Sequence, residues 1–271
     1  MADRKARRNP LATTALGRWL QRLVSAIFLG GQTLIHLQPQ KIHRRNTLEQ
    51  MAVVGPDSLG IALLTAAFVG MVFTIQVARE FITFGASDAV GGVLAISLTR
   101  ELVPVLTAVI LAGRVGSAFA AEIGTMQVTE QIDALYVLKT DPIDYLVLPR
   151  LLACSTMLPI LTLLSLVTGL IGGLAIATNL YDLSSSVFIS SARDFLDLSD
   201  VINMAIKAVV FGGLIAIIGC SWGLTTTGGA KGVGQSTTTA VVTALLAIFV
   251  TNFFLSWVMF QGPGQALSGN L

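Results

Sequence analysis

Four long stretches of this chain carry no charged residue, and they constrain its fold more than any other feature. They cover residues 58–78, 151–181, 208–230 and 232–271. A helix needs roughly 20 mainly apolar residues to cross the hydrocarbon core of a bilayer. Because lipid offers the backbone no hydrogen-bond partner, each stretch is predicted to be helical. The polar–apolar alternation of membrane β-strands is absent, so we expect an all-α integral membrane protein.

The whole sequence predicts five transmembrane helices. Charged residues make up 12% of the chain, whereas they make up about 25% of a typical soluble domain. Apolar runs and their polar boundaries place the spans at about 49–80, 88–117, 145–181, 200–227 and 236–261. An odd number of spans puts the two termini on opposite sides of the membrane.

The N-terminal segment, residues 1–45, differs from the predicted transmembrane region that follows at 46–271. Nine of the 17 Lys and Arg residues precede residue 46, which predicts a cytoplasmic N-terminus under the positive-inside rule. No folded domain remains to present this charge to nucleic acid. Residues 1–10 are predicted to be disordered, and residues 11–38 carry an apolar stripe at helical spacing. This pattern favours an amphipathic helix lying in the membrane interface, with a short spanning helix as the alternative.

Arg100 and Glu101 interrupt the second predicted span, and Lys207 interrupts the fourth. An ionised side chain at the bilayer centre costs roughly 2.5–3.5 kcal/mol on insertion scales, so such residues are kept for a partner or a polar cavity. They either form a structural ion-pair cluster between helices or line a substrate cavity. In the second case, Arg100 or Lys207 would contact a phosphate of the substrate while Glu101 neutralises the empty site. Pro104 is expected to free backbone carbonyls nearby.

The segment 114–145 should lie in the cytoplasm, yet it carries five carboxylates against Arg114 and Lys139. Thr125 can cap a short helix after Gly124, and apolar residues then share one face of a helix to about Leu138. Asp141 before Pro142 indicates the start of the next span. This short helix either rests at the headgroups or inserts into a groove of a cytoplasmic partner.

Four motifs together resemble the MlaE/YrbE family of ABC transporter permease subunits, which work with Mce-domain proteins. They are Arg-Glu-Leu-Val-Pro-Val-Leu-Thr-Ala at 100–108, Ala-Gly-Arg-Val-Gly-Ser-Ala-Phe-Ala-Ala-Glu-Ile-Gly-Thr-Met at 112–126, Thr-Glu-Gln-Ile-Asp-Ala-Leu at 129–135 and Thr-Asp-Pro at 140–142. The resemblance implies an interfacial N-terminal helix, five spans, a homodimer, two cytoplasmic ATPase subunits and an Mce-domain partner that passes phospholipid between membranes.

The resemblance also implies residue roles. The polar groups of the lipid cavity would include Arg100, Glu101 and Lys207. A coupling helix at about Thr125–Leu138 and the residues beside it would supply the ATPase contacts, which are Glu122, Glu130, Gln131, Ile132, Asp133 and Leu135. Some relatives carry arginines where the last helix begins, but Gln235 and Thr239 stand there in this chain.

The chain contains no phosphate-binding G-x-x-x-x-G-K-[ST] motif; its glycine run at 228–234 lacks that spacing and predicts a turn. ATP hydrolysis is therefore expected from a partner, with no cofactor, metal or catalytic residue in this chain. Cys154 and Cys220 are expected to be buried. Two alternatives remain, an intramembrane lipid-modifying enzyme and a stand-alone secondary transporter, although no catalytic pair and no internal repeat is evident. The bacterial plasma (inner) membrane and the plastid inner envelope both fit.

Overall fold

The computed structural model describes residues 15–35 and 44–260, and these residues form helices and short connections without a β-strand. Residues 1–10, which were predicted to be disordered, lie outside these ranges. The helices are α1 Ala15–Ile35, α2 Arg44–Val54, α3 Pro56–Thr83, α4 Val90–Ser97, α5 Val103–Leu111, α6 Ser117–Val128, α7 Gln131–Val137, α8 Leu148–Tyr181, α9 Ser185–Phe195, α10 Leu198–Leu224 and α11 Gly229–Phe260.

Among residues 15–35 and 44–260, five helical segments are long and apolar enough to cross a membrane, which confirms the predicted number of spans. They are Arg44–Thr83, Ser87–Val128, Ile143–Tyr181, Leu198–Leu224 and Gly229–Phe260. The amphipathic helix α1 is not among them. It lies against α10 and α11, where the Trp19 indole donates to Thr243 Oγ1 at 3.0 Å and Arg22 donates to the Thr225 carbonyl at 3.2 Å.

The bundle has two ends, which we name after the short helices that mark them. The α7 end holds α1, α2, α7 and the turn between α10 and α11; the α9 end holds α9 and the start of α10. At the α7 end, Gly228 and Gly229 have φ of +90° and +64°. Glycine adopts this left-handed backbone without a steric penalty, so the glycine run makes the predicted turn.

Glycine allows α3 and α8 to approach until their backbones touch. A β-carbon placed on Gly70 would overlap the Gly169 carbonyl, and one on Gly172 would lie 2.5 Å from the Ala67 carbonyl oxygen. Small residues at such crossings let transmembrane helices pack closely, because lipid supplies no hydrophobic drive for association. The α3–α8 pair therefore holds the first and third spans in one rotational setting.

The structure corrects several predicted boundaries. The second span was expected to end near residue 117, but its helix continues to Val128, so Thr125 lies inside α6 and donates to the Ala121 carbonyl at 2.8 Å. The short helix begins at Gln131 instead of Thr125. Helix α6 continues because it packs on α10, where Gly223 lies against Ile123, and Gly124 lies against Thr226 just beyond the end of α10. The last span begins at Gly229, earlier than residue 236, and α9 was not predicted.

Candidate functional site

The second span contains two π-helical turns, and each holds an arginine. The first covers Leu98–Leu102 and includes Arg100 and Glu101; the second covers Ala112–Gly116 and includes Arg114. Single π-turns within α-helices occur frequently at functional sites. Arg114 donates to Ser58 Oγ at 2.6 Å and to the Val53 carbonyl at 3.1 Å, so this turn ties the second span to the break between α2 and α3.

Lys207 is the centre of a polar cluster between the second, fourth and fifth spans. Its side chain is fully buried, and Nζ lies 3.0 Å from Glu101 Oε1 and 2.7 Å from Ser256 Oγ. Ser256 Oγ donates to Glu101 Oε1 at 2.5 Å, and Asn252 Nδ2 donates to Glu101 Oε2 at 2.7 Å. Both carboxylate oxygens are thereby bound, as a charge in a low-dielectric interior requires.

Lys207 also supplies a hydrogen bond that a backbone carbonyl of the second span lacks. Proline has no N–H, so Pro104 leaves the carbonyl of the residue four positions earlier without its helical donor. That residue is Arg100, and Lys207 Nζ donates to its carbonyl oxygen at 2.7 Å. The three donors of the ammonium are therefore assigned to Arg100, Glu101 and Ser256, which leaves none for a further ligand.

Arg100 faces a different partner, because adjacent residues point in different directions around a helix. Its Nε donates to Asp200 Oδ1 at 2.8 Å and its Nη2 to Asp200 Oδ2 at 3.3 Å. Asp200 is buried in the first turn of α10, whereas the Arg100 side chain stays 36% exposed. The Phe260 ring lies 4.8 Å from the Arg100 guanidinium carbon and 5.2 Å from Lys207 Nζ, within cation–π range of both.

The structure thus brings the three predicted residues Arg100, Glu101 and Lys207 into one region near the α9 end. The sequence analysis missed their partners Asp200, Asn252 and Ser256. Asn252 and Ser256 were detectable as polar residues four apart, and so on one face, in an uncharged span. Asp200 stands at the predicted start of the fourth span, and the sequence analysis did not identify it as part of the capping box of α10 or as the partner of Arg100.

An open apolar groove lies between α3 and the second span. Its volume is about 460 Å³, and Leu102, which directly follows Glu101 in the chain, contributes to its wall. The remaining lining residues all belong to α3, and they are Leu64, Thr65, Phe68, Val69, Val72, Phe73 and Gln76. The lining is apolar apart from Thr65 and Gln76, so the groove suits an elongated apolar group.

A second cavity, of about 650 Å³, opens at the α7 end between α1 and the start of α11. Gln235 and Thr239 line it together with Trp19 and Arg22. Arg22 donates to Ser236 Oγ at 3.4 Å on its wall. Helix α1 thus supplies a basic group at a level where the last helix has none.

The acidic segment forms the short helix α7, which projects from the α7 end. Ile132 is buried in the main core, Leu135 packs against that core, and Gln131 and Asp133 are exposed. Tyr136, Val137 and Leu138 are more than 60% exposed. Glu130 and Lys139 flank α7 with φ of +60° and +57°. The predicted start at Asp141 is confirmed, because its carboxylate accepts a bond from the Ile143 amide at 2.9 Å.

Glu122 lies in α6 and not in the short helix with which it was grouped. Its Oε2 accepts a hydrogen bond from Arg150 Nη2 at 2.8 Å, which links the end of the second span to the beginning of the third. In the sequence, Arg150 is only the last charged residue before a long apolar run, and no pattern there predicts its burial. Its near-complete burial is a property of the packed bundle.

Comparison with known proteins agrees with this architecture. The family model described as "Permease MlaE" matches residues 47–258. A probable ABC transporter permease protein of Synechocystis is 65% identical over 99% of this chain and 100% of its own length. One from Pyropia yezoensis is 51% identical over 93% of this chain and 96% of its own length.

A chloroplastic protein of Arabidopsis thaliana, named TRIGALACTOSYLDIACYLGLYCEROL 1, is also similar. It is 48% identical over 95% of this chain and 74% of its own length. The family match covers the described spans from α2 to α11. With five spans, a polar cluster within them and these relatives, the chain belongs to the MlaE permease family and is a permease of an ABC transporter.

Proposed function

We propose that this permease works as a homodimer with a cytoplasmic ATPase and an Mce-domain protein and moves a phospholipid across or out of the membrane. The observation that carries the proposal is that the second span borders an open apolar groove and also bears the partly exposed side chain of Arg100. The name of the Arabidopsis relative is that of a galactose-bearing glycerolipid, and phospholipids share its diacylglycerol part. The α7 end would be cytoplasmic, and a bacterial plasma membrane or plastid inner envelope would hold the complex.

Arg100 is the better candidate than Lys207 for contact with the lipid phosphate. Lys207 is fully buried and its three donors are assigned, whereas the Arg100 side chain is 36% exposed. A phosphate would share that guanidinium with Asp200, and Arg is suited to such bidentate contacts. Glu101, held by Lys207, Asn252 and Ser256, would then maintain the cluster and not bind lipid.

Replacing Arg100 with glutamine is expected to lower phospholipid retention by about tenfold or more, since hydrogen bonds to charged groups contribute roughly 1.5–3 kcal/mol. Retention is measured by native mass spectrometry of the purified protein in mild detergent. Arg193→Gln, on the exposed face of α9, is the control and should retain lipid normally. Equal loss in both variants, or none in Arg100→Gln, would contradict the assignment.

The ATPase would dock on α7. Ile132 and Leu135 face the bundle and would anchor α7, so the contacts fall to the exposed residues Glu130, Gln131 and Asp133 with the apolar tip at 136–138. Insertion of a short helix into a groove of a partner uses such a mixed surface. The net negative charge of this loop, unusual for a cytoplasmic segment, is explained if the ATPase groove is basic.

Substituting Val137, in the exposed tip, with aspartate should reduce the amount of co-purifying ATPase by about tenfold, because a charge would be buried in an apolar contact. The measurement is subunit identification by mass spectrometry after purification from native membranes. Ser190→Asp on α9 is the matched control. Co-purification that survives Val137→Asp would place the docking surface elsewhere.

A second copy of this chain would cover part of α11. Of the five spans, α11 has the smallest buried share in its apolar window, and Phe249, Phe253 and Trp257 are more than half exposed. Native mass measured in the same purification tests the dimer. The complex also separates the proposal from its alternatives, because an intramembrane lipid-modifying enzyme or a stand-alone secondary transporter requires no nucleotide-binding subunit.

A further inference from the structure

Arg150 is a nearly buried charge outside the polar cluster and at the opposite end of the bundle. Its side chain is 8% exposed, and it donates to Glu122 Oε2 at 2.8 Å and to the Leu146 carbonyl at 3.0 Å. The guanidinium carbon lies 5.3 Å from the centre of the Phe119 ring. A planar guanidinium held by two acceptors and an aromatic face has little rotational freedom.

These contacts join the two helices that carry α7. Glu122 and Phe119 belong to α6, which ends directly before α7, while Arg150 and Leu146 belong to the beginning of the next span. Glu130 and Lys139, on either side of α7, have left-handed backbone that ends each helix. Two sharp turns thus connect α7 to α6 on one side and to the third span on the other. The Arg150–Glu122 pair, which we call the clamp, holds α6 and the start of the third span together.

The pair also borders the place where α7 begins. An open depression between α6 and α7 is lined by Ala121, Glu122, Thr125, Met126, Gln131 and Arg150. Gln131 is the first residue of α7, so the Arg150–Glu122 pair and α7 line the same depression. The Glu122 carboxylate is 52% exposed there, which lets its pairing respond to a displacement of α7.

We propose that Arg150 and Glu122 are positioning residues that transmit movement of α7 to the transmembrane helices. This inference rests on the proposed function, because it takes α7 as the ATPase contact. Without the clamp, displacement of α7 would be absorbed by separation of α6 from the start of the third span. With it, the second and third spans must move as one body, and the second span carries Arg100 and Leu102 at its other end.

The test compares Glu122→Gln, Arg150→Lys and the double variant in the complete complex purified with its ATPase. Gln76→Cys, exposed on the wall of the apolar groove, is the reporter, and its labelling by a small thiol reagent is timed with and without ATP and vanadate. The native Cys154 and Cys220 are fully buried and can remain. Arg45→Gln, at an exposed ion pair on α2, is the control.

In the parent and the Arg45→Gln complexes, nucleotide should change the labelling rate by about fivefold or more, the lower end of typical coupling between sites. The single variants should keep the ATPase bound and hydrolysing ATP while this response is largely lost. The double variant should respond no worse than either single variant, because residues that act as a pair are not additive.

Nucleotide responses equal to the parent's in both single variants would overturn the inference and leave the proposed function standing. An active parent complex without any labelling response would also overturn it. Failure of any ATPase to co-purify with the parent would instead refute the proposed function, and the inference with it. Glu122→Gln keeps shape and an acceptor oxygen at a half-exposed position, so it tests the clamp without removing a buried charge.

Discussion

Replacement of Lys207 with methionine is expected to destabilise the bundle by about 3 kcal/mol. This is the lower end of the range for removing one partner of a buried ion pair, because the Glu101 side chain is 43% exposed. The change leaves the Glu101 carboxylate without its cation and the Arg100 carbonyl without the donor that replaces the missing Pro104 amide. The thermal midpoint of the purified protein should fall by about 6–12 °C.

Two further variants identify the cause of this loss. Lys231→Met removes an exposed lysine at the start of α11 and should change stability by less than about 0.5 kcal/mol. Adding Glu101→Gln to Lys207→Met should recover part of the midpoint, since no unpaired charge then remains between the spans. A midpoint that is unchanged in Lys207→Met would show that the cluster does not stabilise the fold.

Substitution of Gly70 by alanine should be equally damaging although it adds one methyl group. The new β-carbon would overlap the Gly169 carbonyl on α8, and a backbone atom cannot move aside as a flexible side chain can. Overpacking typically costs about 1–3 kcal/mol and occasionally more, and we expect a loss at or above the upper end. Thermal unfolding of the purified variant, monitored by tryptophan fluorescence, measures it.

Gly60→Ala is the matched control, because it lies on the same helix with no heavy atom within 4 Å of the added β-carbon. Alanine favours helix over glycine by roughly 0.5–1 kcal/mol, so this variant should be slightly stabilised. A loss of stability in Gly70→Ala together with a gain in Gly60→Ala would locate the destabilisation in the α3–α8 contact. A Gly70→Ala protein as stable as the parent would mean that the two helices can separate without cost.

Particular residues show how far sequence reasoning reached into the site. Pro104 predicted that backbone carbonyls nearby lack their helical donors, and in the structure the carbonyl of Arg100, four residues earlier, takes its bond from Lys207. The donor could not be named, because Lys207 lies 107 residues away and its direction depends on how α10 is rotated. Thr125 was misassigned as a helix cap because a glycine before it normally weakens a helix, whereas packing of Gly124 against Thr226 favours glycine there.

The apolar runs of the sequence and their polar boundaries were enough to predict that the spans are helices and that there are five of them. Long uncharged runs must be helices in lipid, since each backbone group needs a partner within its own segment. The packing of the folded bundle sets which charged residues form ion pairs: Arg100 with Asp200, Glu101 with Lys207, and Glu122 with Arg150. Such pairing depends on how each helix is rotated and how deep it lies against its neighbours. Close contacts between distant residues, such as Gly70 with Gly169, fix that rotation and depth. No local sequence pattern encodes these contacts.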